Sequence, residues 1–67
     1  MDITQSTLQG LARVNEIEKL LNIKLSNLDL PVRDREILSA LKVNLKESKA
    51  WLEQILNDEY LRKLLTS

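Results

Sequence analysis

Ser26-Asn27-Leu28-Asp29-Leu30-Pro31 is the stretch that decides the fold. Pro31 disfavours helical backbone at the residue before it, so a helix arriving from the N-terminal side must stop ahead of Leu30. Proline is also well tolerated in the first turn of a new helix. A break this short turns the chain back on itself, which lays the second helix beside the first. Leu28, Leu30 and Val32 are then expected to plug the end of the shared core.

On the N-terminal side, Leu11, Val14, Leu21, Leu25 and Leu28 recur at alternating spacings of three and four, with Glu18 in the open slot and Ile17 beside it. That is an amphipathic helix with an almost coiled-coil seam. Asp2, Thr4 and Ser6 offer side-chain oxygens to cap its start. Gly10 interrupts the pattern at a cost of about 1 kcal/mol relative to Ala, and marks either a fraying point or a close contact.

On the C-terminal side, Ile37, Leu41, Leu45, Ser48, Leu52 and Ile55 repeat the same spacing, and no Gly or Pro falls between Asp34 and Leu56. Leu38 and Leu56 widen this stripe on one edge and Trp51 on the other. Asn57-Asp58 then breaks the phase. Asn suits a helix end and Asp a helix start, so the tail is either a kinked short third helix over Glu59 to Leu65 or a continuation with a new contact face.

Two pieces, Leu21–Leu25 and Leu41–Leu45, alternate apolar and polar residues as strands do. Each is five residues long and sits inside a longer helical pattern, so helix is preferred. The two also echo each other at an offset of twenty, together with Ala12–Ile17 and Val32–Ile37. Chance similarity of two Leu-rich helices accounts for the echo, with a duplicated helical unit as the sharper alternative.

The expected fold is therefore all-α: an antiparallel helical hairpin with a short C-terminal helix, as a three-helix monomer or a dimeric bundle of four-helix type. One domain spans 1–67, with helices over 5–27, 34–56 and 58–65 and a break at 28–33. Val14, Ile17, Leu21, Leu25, Leu28, Ile37, Leu41, Leu45, Leu52 and Ile55 form its core or a self-interface.

Composition narrows function mainly by exclusion. With no Cys there are no disulfides or thiolate metal sites. With no His, the commonest metal ligand and neutral-pH general base are missing. Ser6, Ser26, Ser39, Ser48 and Ser67 thus lack a base, and Lys46 and Lys49 point away from Ser48 on a helix. Glu16 and Glu18 lie two apart on different faces of a helix, and Asp34, Glu36, Asp58 and Glu59 suit helix-start electrostatics, so none makes a facing acid–base pair. A single Gly cannot make a phosphate-binding loop. We therefore read the chain as non-enzymatic, without cofactor, metal or small-molecule substrate. Ten basic residues balance ten acidic ones, which argues against generic nucleic-acid or membrane-surface binding. No apolar run approaches a membrane span, and the polar N-terminus is unlike a signal peptide, so a cytoplasmic location is expected. Arg33 with Glu36, and Glu59 with Arg62 or Lys63, have spacings for surface ion pairs.

One segment has a named likeness. Arg35-Glu36-Ile37-Leu38-Ser39-Ala40-Leu41-Lys42-Val43-Asn44, followed by Trp51, resembles the helix-turn-helix core of small DNA-binding repressors. Leu41, Val43, Asn44 and Trp51 fit that pattern. Lys42 stands where the family has its turn glycine, Ser48 where it has an inward aliphatic residue, and Glu47 and Glu53 sit on the would-be recognition helix. The resemblance implies a DNA-binding regulator using residues 35–52, as an alternative.

Apolar surface is in surplus. Leu20, Ile23, Leu38, Val43, Trp51, Leu56, Tyr60, Leu61, Leu64 and Leu65 lie beside or outside the two stripes, more than a two-helix hairpin covers. The preferred function is a protein–protein interaction module: a small regulator, inhibitor or assembly factor that binds a protein partner through an apolar helix face and forms a homodimer. Trp51, Tyr60, Leu61 and Leu64 are the candidate partner-binding residues, although Trp51 also reads as a half-buried core residue and Tyr60–Leu65 as a third core helix. A structural oligomerisation domain is a further alternative.

Overall fold

The computed structural model describes residues 3–66, and the expected capping role of Asp2 lies outside them. Three helices follow in order: α1 (Ile3–Leu25), α2 (Val32–Asn57) and α3 (Glu59–Thr66). α1 and α2 pack as an antiparallel hairpin, and α3 touches both at the open end. The molecule is a rod of 49 × 15 × 15 Å. Both alternating pentapeptides are helical. Thr4 and Ser6 lie within α1 instead of preceding it.

Gly10 does not fray the helix. A Cβ built there would meet the Leu52 methyls at 3.5 and 3.6 Å, ordinary van der Waals contact. Ala at this position keeps the packing and removes the backbone entropy cost. Gly10→Ala is therefore expected to stabilise the fold by about 1 kcal/mol, read as a higher thermal midpoint in far-UV circular dichroism.

The turn between α1 and α2 is closed by hydrogen bonds. The Asp29 N–H donates to the Asn27 side-chain oxygen at 3.0 Å, and the Ser26 hydroxyl donates to the Ile23 carbonyl at 2.6 Å. Arg35, from the first turn of α2, reaches back and donates to the carbonyls of Leu25 at 2.8 Å and Asn27 at 2.7 Å. The Leu25 carbonyl belongs to the last turn of α1, where no intrahelical donor remains. The Asn27 carbonyl, two residues beyond the helix, also accepts the Leu30 N–H at 3.2 Å, and the guanidinium fork reaches both carbonyls at once. This geometry leaves Leu28 94% exposed and Val32 exposed as well, while Leu30 is half-buried. Of the three residues expected to plug the core, only Leu30 turns inward.

Charged hydrogen bonds of this kind contribute about 1.5–3 kcal/mol. Arg35→Ala should therefore lower stability by about 2 kcal/mol. Lys, which cannot bridge two carbonyls with one planar group, should restore only part of it. Urea unfolding of the three proteins side by side checks this.

Arg35 also fixes the rotation of α2, because it lies in phase with Leu38, Lys42, Leu45, Lys49, Leu52 and Leu56. These residues, all half-buried, face α1. The expected stripe shares only Leu45 and Leu52 with this seam. Ile37, Leu41 and Ser48 give way to the residue that follows, and Ile55 is half-buried alongside Leu56, so α2 is turned by roughly 70° on a helix of 3.6 residues per turn. α1 presents Thr7, Leu11, Val14, Glu18, Leu21 and Leu25, close to expectation. Thr7 is buried among them and donates its hydroxyl to the Ile3 carbonyl at 2.7 Å. The offset-of-twenty echo is not mirrored in packing: Leu21 is 7% exposed and its counterpart Leu41 is 46% exposed.

The chain kinks at Asp58. Its backbone is extended (φ −113°, ψ 104°), and its carboxylate accepts the Leu61 N–H at 3.2 Å, capping α3. Of the two expected partners of Glu59, Lys63 pairs with it at 3.5 Å on the exposed surface. Arg62 instead donates to the Leu56 carbonyl, tying α3 to the end of α2.

Candidate functional site

The rotation of α2 decides what the surface offers. On two antiparallel right-handed helices, the residue just before each inward position projects to the same broad side of the pair, and the residue just after it to the other. On the first side stand Ile17 and Leu20 from α1, with Ile37, Leu41 and Ile55 from α2, and among them Arg13, Lys24, Asp34, Asn44 and Ser48. On the second stand Asn15, Lys19 and Asn22, with Ser39, Lys46 and Glu53. Leu8 and Val43 are the large apolar residues on that polar side. Most of the hairpin's large exposed apolar residues thus gather on the first side, interleaved with charged and polar ones, and the second side is mostly polar.

The order along the apolar face follows from the contact of Gly10 with Leu52 and of Arg35 with Leu25. From the open end toward the turn it runs Ile55, Gly10, Ser48, Ile17, Leu41, Leu20 and Ile37. Leu20 and Trp51 sit at its outer edges. Ile17, Leu20, Ile37, Leu41 and Trp51 are all exposed, and Ile55 is half-buried.

The interior is correspondingly thin. Among the described residues, Leu21 is the only buried hydrophobic residue. Lys42 and Lys49 occupy seam positions, where their aliphatic stems cover apolar surface while the charged ends reach water. Of the residues assigned to the core or a self-interface, Leu21 is buried, and Val14, Leu25, Leu45, Leu52 and Ile55 are half-buried. Ile17, Leu28, Ile37 and Leu41 lie outside the hairpin's own core: Ile37 and Leu41 because α2 turns its apolar stripe toward the broad face, Leu28 because of the turn, and Ile17 because it sits one residue before the seam of α1.

Trp51 is 65% exposed, which corrects its reading as a half-buried core residue. Tyr60, Leu64 and Leu65 are exposed, and Leu61 and Arg62 face the hairpin. α3 therefore packs by one edge only. At the open end, a shallow groove of mixed charge runs between α1 and α3, lined by Thr4, Glu59, Arg62, Lys63 and Thr66.

α2 continues unbroken through Lys42-Val43-Asn44, where the helix-turn-helix likeness requires a turn. Among the described residues, no group of three or more Asp or Glu side chains is placed to hold a metal ion. Among the same residues, no helix is long and apolar enough to cross a membrane. Compared with known proteins, the chain matches no family model, no curated protein and no solved structure.

Sequence reasoning missed three residues that shape this surface. Arg35, Lys42 and Lys49 are polar, yet all three are half-buried on the side of α2 that meets α1. The spacing of Arg35, Lys42 and Lys49 at sevens was the available signal.

Proposed function

We propose that this chain is a non-catalytic protein-binding module, a small regulator, inhibitor or assembly factor that works through its broad apolar face. The observation that carries this reading is the alignment of Ile17, Leu20, Ile37, Leu41 and Ile55 on one side of a hairpin in which, among the described residues, a single hydrophobic side chain is buried. An exposed cluster of large apolar residues rimmed by polar ones is the mark of an interaction site. Trp51 at its edge adds a side chain of the kind enriched at binding hot spots. We place its work in the cytoplasm, supported by a sequence without Cys, which gains nothing from an oxidising compartment.

The test is site-specific photo-cross-linking in the expressing cell. A photoreactive phenylalanine analogue at Ile37, on the apolar face, should give discrete protein adducts. The same residue at Lys46, on the polar face, should give few. Equal labelling from both positions, or none from Ile37, would remove the reading.

A further inference from the structure

We infer that the occupant of the apolar face is a second copy of this chain, and that two hairpins stack face to face about a two-fold axis as a four-helix bundle. The inference rests on the interaction reading and names the partner. Area is the first argument. The hairpin exposes 5388 Å², whereas a compact monomer of 7.7 kDa exposes about 4,300 Å². The excess, roughly 1,000 Å², matches what one partner contributes to a stable interface, about 800 Å².

Direction is the second argument. In a four-helix bundle each helix aims its apolar stripe between its two neighbours, toward the bundle centre. The α2 stripe of Ile37, Leu41, Leu45, Leu52 and Ile55 does this: one edge meets α1 and the other lies on the open face. Charge permits it too, because the formal net charge is zero and copies carry no overall repulsion. Supply is the third argument. A chain this short, with one buried hydrophobic residue among the described ones, draws little stability from its own core, and another copy of itself is always at hand. The same patch then serves both subunits, as a two-fold interface requires.

Two measurements test this together on the full chain. Light scattering behind a sizing column should give twice 7.7 kDa at micromolar concentration. Because the chain has no native Cys, single-cysteine variants report the face directly. Asn44→Cys, at the rim of the apolar face, should be joined to its twin by a flexible bismaleimide, whereas Lys46→Cys on the polar face should not. A helical species of 7.7 kDa at every concentration overturns the second copy, as does a dimer cross-linked through Lys46→Cys in preference. With a monomer, adducts from Ile37 to another protein still support the broader reading, so the two failures are distinguishable.

Discussion

Replacing Leu21 by alanine is expected to remove about 3 kcal/mol of stability and to leave the chain largely unfolded in dilute solution. Leu→Ala at a packed position costs about 2–5 kcal/mol, from lost transfer free energy and the cavity left behind. A domain below about 70 residues seldom has more than 3–5 kcal/mol in hand. Leu21 is the buried hydrophobic residue of the hairpin, at 7% exposure, on the seam between Leu25 and Glu18. Loss of helicity at 222 nm, followed against urea, reads the effect. A cost below about 1 kcal/mol would mean that α1 and α2 do not meet through this residue.

The second large effect concerns Leu41, whose side chain is 46% exposed in the hairpin. In an isolated hairpin, Leu41→Glu is a surface change, and surface changes away from special features fall within about 0.5 kcal/mol. Against a second copy it buries an unpaired carboxylate, at a cost of about 3–5 kcal/mol. We expect the larger value, together with loss of the dimer. Lys46→Glu, on the polar face, should change neither. The comparison separates the two situations because both variants add the same side chain to the same helix two turns or less apart.

Much of this architecture is legible in the residues. Pro31 and the short polar break before it dictate the hairpin, and Asn57-Asp58 dictates the kink before α3. The phase of α1 is also legible, because Leu11, Val14, Leu21 and Leu25 leave little choice of inward side. The phase of α2 is not. Its most apolar stripe holds Ile37, Leu41 and Ile55, and pattern reasoning turns that stripe toward the nearest neighbour. The hairpin instead rotates so that Arg35 can satisfy the carbonyls of Leu25 and Asn27, with Lys42 and Lys49 carried into the seam. A hydrogen-bonding constraint at the turn thus competes with apolar burial along the helix. The displaced stripe forms the candidate site, so the pattern assigns its residues Ile37, Leu41 and Ile55 to the core, and of the apolar surplus only Leu20 and Trp51 fall on this face. Trp51 shows the same limit: its place depends on α2's rotation, which composition does not report.

The central claim is that folding and pairing through the apolar face are one event. Thermal unfolding followed across a hundredfold range of protein concentration tests it most directly. A dimer whose subunits fold only together gains about 2.7 kcal/mol of apparent stability over that range, so the midpoint should climb steadily with concentration. A midpoint that stays constant from the most dilute sample to the most concentrated would contradict the account.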